Sequence, residues 1–368
     1  MNNEKISYIE ATFLVIAVAI THIILNMPNA LIESEGSASI LNIIYITALV
    51  IIFFLIVEKL FRPFEGGDIL DVSEFVGGKT LKIVVSVVYT VYLIFVSSIL
   101  LRNFVETLRV TYYPNSSAFA LTLVFILCAV IVNKIGEKNV IKVNTLLLPL
   151  VLISVVVIFT SSIGKFQFER IFPILGHGFK ATFILGSSNI YAFGGLIYLF
   201  LIRTHLKDYT KYKKVGVIAI IVSSLYLLLS VASLLLLFPF LTAGKDVLSV
   251  YLSTRTIEFG KVFQRSDAIF ILIWIFAFLS YLSVIILYIT KISKKCLPTK
   301  NSSPFIYISA IFILISSLIS QNTEQLRFIE TVLFKYIGIG IVFVFSFIIL
   351  LIGYIKKKPK LYTSFLKN

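Results

Sequence analysis

The sequence predicts an all-α, polytopic membrane protein with ten transmembrane helices, and three observations carry that prediction. Ten apolar segments each approach the length of about 20 residues that a hydrocarbon core demands. The loops joining them are short, and their basic residues are dense in every second loop. Composition agrees: at 58% hydrophobic and 14% charged over 368 residues, a water-soluble chain would need more buried core than one globular domain encloses. The net charge of +15 forms no patch or tail of the kind that binds nucleic acid, so no nucleic-acid partner is expected.

The segments run over 8–27, 37–57, 80–109, 117–133, 139–161, 180–202, 214–238, 266–290, 304–320 and 332–355. No low-complexity stretch divides them, so residues 1–368 are expected to form a single integral membrane, permease-like domain. With the N-terminus inside, 22 of the 33 Lys and Arg residues fall on the cytoplasmic side, in clusters such as Lys134, Lys138 and Lys142 or Lys291, Lys294 and Lys295. Both termini are therefore expected to be cytoplasmic. The first apolar run is expected to stay in the chain, since only Lys5 precedes it and no small-residue cleavage site follows.

Span one opens with Ser7-x-x-Glu10, a capping box that satisfies amides at a helix start. Further along, Thr21, His22 and Asn26 interrupt the apolar run just before Pro28, which lacks an amide hydrogen and disfavours helix in the residue before it. In span six, Leu185-Gly186-Ser187-Ser188-Asn189 and Phe193-Gly194-Gly195 put glycine and hydroxyl groups at membrane depth. Ten spans permit a five-plus-five inverted repeat in which spans one and six are equivalent, and transporters of that design break both helices around their ligand. A cavity is expected there, lined by Thr21, His22, Asn26, Phe193, Gly194 and Gly195, with Val96 and Ser97 of span three as the opposite wall. Close helix packing through small residues is the competing reading of the same glycines and serines.

Arg102 and Glu106 lie one helical turn apart late in span three and are expected to pair, mainly as a structural device. Arg265 and Asp267 stand at the entrance to span eight, where Asp267 complements a helix N-terminus; a structural pair and a gate are both open readings. His22 is the most unusual side chain within a span, suited either to a proton-linked switch or to a neutral hydrogen-bonding role. His177 and His205 read as solvated loop residues, and Trp274 as a packing residue. Cys128 and Cys296 lie at different depths and imply no disulfide. No Walker loop, nucleophile elbow, zinc-binding helix or paired-cysteine motif is present, so no enzyme activity, cofactor or metal is expected.

Several patterns together resemble the B subunit of nutrient germinant receptors, the endospore germination permeases of the amino acid, polyamine and organocation transporter superfamily. They are Arg102-x-x-x-Glu106; Gly136 followed by Lys142; Phe172-Pro173-Ile174-Leu175-Gly176-His177-Gly178; and Phe263-Gln264-Arg265-Ser266-Asp267 leading to Trp274. The chain departs from the family where a Gly-x-Gly element is usual and Thr21-His22-Ile23 stands, where an acidic element reads Gln264-Arg265-Ser266-Asp267, and at Leu196 and Ile202 in span six. The resemblance implies residence in the spore inner membrane, a small nutrient ligand such as an amino acid, and action with an A subunit and a lipoprotein C subunit to trigger germination. A proton-coupled amino-acid transporter of the same fold is the alternative.

Overall fold

The computed structural model describes residues 5–24, 27–239, 266–299, 301–320 and 323–365, the side chains of 24, 266–268, 323 and 358–365 excepted. Asn26 and Arg265, and the side chain of Asp267, therefore lie outside the described residues.

Among the described residues, eleven helices organise the bundle: α1 (Tyr8–Ile24), α2 (Met27–Glu35), α3 (Ser39–Phe61), α4 (Ile69–Thr111), α5 (Ala118–Ile135), α6 (Glu137–Ser162), α7 (Lys180–His205), α8 (Tyr212–Leu237), α9 (Ser266–Cys296), α10 (Ser303–Ser317) and α11 (Glu324–Lys357). Among the described residues, eight helices are long and apolar enough to cross a membrane and two shorter apolar ones, Tyr8–Ile23 and Ser303–Ser317, complete the ten spans. Apolar side chains such as Leu146, Ile131 and Val124 remain more than half exposed on the outside of the bundle, as a lipid-facing surface requires.

The capping box starts α1 as expected: Glu10 Oε2 accepts from the Ser7 amide at 2.8 Å while Ser7 Oγ accepts from the Glu10 amide at 3.2 Å. Helix α1 stays regular through Thr21 and His22 to Ile24, and Met27–Glu35, which includes Pro28, is helix rather than a loop. In span six, α7 is wound widely over Lys180–Ile184, tightly over Leu185–Tyr198, and turns non-helical at Phe193 (φ −93°, ψ 19°). Helices α1 and α7 pack against each other, and α1 also contacts α6, α8 and α9. The contact with α7 is closest at Gly195, where a Cβ would lie 2.7 Å from Ala19 Cα.

Two departures from the sequence expectation occur in loop regions. Helix α4 begins at Ile69 rather than near residue 80, because Asp68 caps it through bonds from the Leu70 and Asp71 amides. It bends at Gly77-Gly78, where Gly78 adopts φ +68°, ψ −165°, a conformation open essentially to glycine. His205, expected to be solvated, is instead packed at the end of α7. Its main-chain carbonyl accepts from Ile6 N at 2.7 Å and Ile6 O accepts from Lys207 N at 2.9 Å, which ties the start of α1 to the end of α7. Nearby Arg203 is 4% exposed, and its Nη1 donates to the Phe61 and Phe64 carbonyls at 2.7 and 2.6 Å, adding a second donor to two carbonyls that already accept from the Phe64 and Gly67 amides in the turns after α3.

The loops of alternate parity gather at opposite ends of the bundle. One end, rich in lysine, is held by Lys295 Nζ at 2.7 Å from both Asp68 Oδ1 and Asp71 Oδ2, and by the Lys291–Glu137 pair. Burial pushes the Asp68 carboxyl up to about 6, with Asp71 adding to the rise and Lys295 opposing it.

Candidate functional site

The site forms between the last turn of α1 and the irregularly wound α7, and α4, α9 and α11 close around them. His22, two residues before α1 ends, is buried with its ring against Tyr281 of α9 (centroids 6.1 Å apart, edge to face) and Phe334 of α11 (5.7 Å). Tyr92 enters from α4. A Cβ built at Gly194 would lie 3.4 Å from the Tyr92 hydroxyl and 3.8 Å from His22 Nδ1; one at Gly338 would lie 2.9 Å from the same hydroxyl. Two glycines on two helices therefore make room for one tyrosine head group beside the histidine. The segment of α11 that brings Gly338 here, Val332–Phe345, is wound in wide π turns, a form concentrated at functional sites.

Hydrogen bonding separates this cluster from ordinary core. Tyr89 is satisfied by Ser346 Oγ at 2.6 Å, and Tyr212 donates to the Leu199 carbonyl at 3.0 Å. Among the described residues, the hydroxyls of Tyr92, Tyr198 and Tyr281, all fully enclosed, have no partner. Buried polar groups are nearly always paired, so three such phenols near a histidine at the last turn of α1 and the irregular turn of α7 provide donors and acceptors for a small polar molecule.

The other expected residues fall into three groups. Gly194 faces this cluster, whereas Gly195 is committed to the backbone of α1 and Phe193 is fully buried at the non-helical turn. Val96 and Ser97 are buried on α4; Val96 follows Tyr92 by one turn, and Ser97 Oγ bonds to its own helix at the Ile94 carbonyl. Thr21 bonds back to the Ala17 carbonyl and lines a separate cavity of about 20 Å³ with Asn144, Trp274 and Ser280. Asn144 Oδ1 and Trp274 Nε1 are buried there without a partner, a polar pair in a space the size of one water. Sequence reasoning missed Tyr92, Tyr198, Tyr281 and Gly338, because three tyrosines and a glycine spread over four helices show no local pattern.

Away from the lysine-rich end, a polar network seals the bundle. Asn189 Nδ2 donates to Glu35 Oε1 and Asn42 Oδ1, each at 3.0 Å, and Asn42 Nδ2 reaches the Thr182 and Gly186 carbonyls at 2.8 and 3.1 Å. The irregular start of α7 is thus satisfied from α3, which is what allows non-helical backbone at depth. Arg102 pairs with Glu106 at 2.9 Å, and Arg109 binds the other carboxylate oxygen at 3.0 Å. At the opposite, lysine-rich end lies a cavity of about 900 Å³. Among the described residues no group of three or more His, Cys, Asp or Glu side chains is placed to hold a metal ion.

A family model described as spore germination protein matches residues 5–326. The chain belongs to the spore germination protein family. As a spore germination permease it is an integral membrane protein with a transporter fold, and a solved structure of a Na+-coupled sialic acid symporter, substrate-bound and outward-open, shows that fold. It superposes with a TM-score of 0.65 at 14% identity over 92% of this chain and 79% of that one. No curated protein matches the chain significantly.

Proposed function

We propose that this permease is the membrane subunit of a nutrient germinant receptor and that it binds a small nutrient, with amino acids as the expected class, among His22, Tyr92, Gly194, Tyr198, Tyr281 and Gly338. The single observation that carries the reading is the set of three enclosed tyrosine hydroxyls, unpaired among the described residues, near the last turn of α1 and the irregular turn of α7. Irregular helix of this kind offers amides to a carboxylate and carbonyls to an amine. Thr21, Val96, Ser97, Phe193 and Gly195 support the site's walls, and Asn26, which the sequence adds to the site, lies outside the described residues. The whole chain acts as one domain in the spore inner membrane with both termini cytoplasmic. It binds without covalent change and signals through an A subunit and a lipoprotein C subunit.

A receptor needs only differential affinity of its ligand for two conformations, so the isolated chain should show no concentrative uptake in vesicles. Spores lacking it should lose the response to one nutrient class and keep the rest. The cavity at the lysine-rich end, opposite a sealed polar network, favours a second reading as a proton-coupled transporter. Sustained gradient-driven uptake by the chain alone, with normal germination in its absence, would establish that reading instead. Orientation is read separately by labelling Lys211→Cys, which should react only from the cytoplasmic side.

A further inference from the structure

The cavity at the lysine-rich end contains charge that its own carboxylates do not neutralise. Lys291 pairs with Glu137, and Lys295 with Asp68 and Asp71. Two more ammonium groups in the lining are held by hydroxyls: Lys134 Nζ donates to Ser303 Oγ at 2.7 Å, and Lys294 Nζ to Ser302 Oγ at 3.3 Å. Because each serine oxygen accepts from a lysine, its own proton stays free to donate. Thr290 lies one turn before Lys294 on the same face of α9. It is 5% exposed, it lines the same cavity, and among the described residues its hydroxyl has no partner.

We propose that Lys134, Lys294, Ser302, Ser303 and Thr290 form a binding site for a phosphate group, supplied by a free phosphate or by a lipid headgroup. Three hydroxyl protons and two lysines used as point charges suit an anion with several charged oxygens. Thr290 is buried and Lys294 half-buried, where attraction is stronger than in bulk water, whereas Lys134 is exposed. The general lysine bias of this end does not account for the arrangement, since Lys291 and Lys295 have carboxylate partners and these two do not. The site is separate from the tyrosine cluster and independent of the nutrient reading.

The test uses the full-length protein purified in neutral detergent, with thermal stability followed as inorganic phosphate replaces chloride at constant ionic strength. A parallel arm compares nanodiscs of phosphatidylcholine with and without phosphatidylglycerol. Stabilisation by free phosphate, lost in the Lys134→Gln/Lys294→Gln double variant and retained in Lys142→Gln, assigns a free anion. Stabilisation by phosphatidylglycerol alone, with the same dependence on the two lysines, assigns a headgroup. Thr290→Val, which alters no charge, should weaken the apparent affinity about tenfold and serves as the test if the double variant does not fold. No stabilisation in either arm, an effect equal in all variants, or unchanged affinity in Thr290→Val overturns the proposal.

Discussion

The hydroxyl of Tyr92 stands 2.9 Å from where a Cβ at Gly338 would lie, closer than side-chain atoms tolerate, so this glycine is present to admit that phenol. Gly338→Ala should displace Tyr92 and reduce the nutrient response about tenfold, a cost of about 1.4 kcal/mol. At Gly194 the corresponding distance is 3.4 Å, so Gly194→Ala should be mild while Gly194→Leu, which fills the space beside His22, should abolish the response. Germination dose-response curves measure both, and equal responses for Gly194→Leu and the parent would place the ligand elsewhere.

Removing a hydroxyl that has no partner should not destabilise the fold. Tyr92→Phe, Tyr198→Phe and Tyr281→Phe are therefore expected to leave stability unchanged or raise it by about 1 kcal/mol, while lowering the nutrient response. Tyr89→Phe breaks the bond to Ser346 and should lower stability by about 1 kcal/mol with the response intact. Thermal melts in detergent alongside germination assays separate the two classes. A loss of stability in all four would make the cluster structural.

Glu106 holds two arginines, and this changes what a charge swap can do. Glu106→Ala leaves Arg102 and Arg109 facing each other and should lower abundance, by at most about 3 kcal/mol, the lower end of the scale for a broken buried pair, because Arg109 is a third exposed. Arg102→Ala should be milder because Arg109 still binds Glu106 Oε2. Exchanging residues 102 and 106 should not restore abundance, since the new arginine at 106 meets Arg109. Immunoblots of membrane fractions give the ranking, and full recovery in the exchange would refute the three-member account.

Asp68 should make stability depend on pH in a sense opposite to a carboxylate whose ion pair dominates, because burial here outweighs the attraction of Lys295. Its folded pKa, raised to about 6 by burial, lies above the ordinary carboxylate value. Between those limits the folded chain binds a proton that the unfolded chain releases. Stability from this group is thus gained as pH falls through about 6 and lost as pH rises through it. Asp68→Asn, which keeps a capping oxygen for α4, should flatten the difference in Tm between pH 5 and pH 7.5 by on the order of 2 °C. An identical pH dependence in parent and variant would exclude the effect.

The sequence by itself determined the features whose physics is local. Hydropathy over about 20 residues placed ten spans, Ser7 and Glu10 announced the cap of α1, and the four-residue spacing of Arg102 and Glu106 announced their pair. The glycine and hydroxyl residues of span six marked where regular helix would fail, whereas Thr21 and His22 of span one stand in regular helix. Tertiary structure decided what the irregular turn faces. It assigned Gly195 to helix contact and Gly194 to the cluster, added Arg109 to Glu106, buried His205, and extended α4 back to Asp68. Above all it brought Tyr92, Tyr198, Tyr281 and Gly338 together from four helices. A phenol in an apolar span looks the same in sequence whether its hydroxyl is bonded, as in Tyr89, or unpaired, as in Tyr281, because the deciding partner is supplied by another helix.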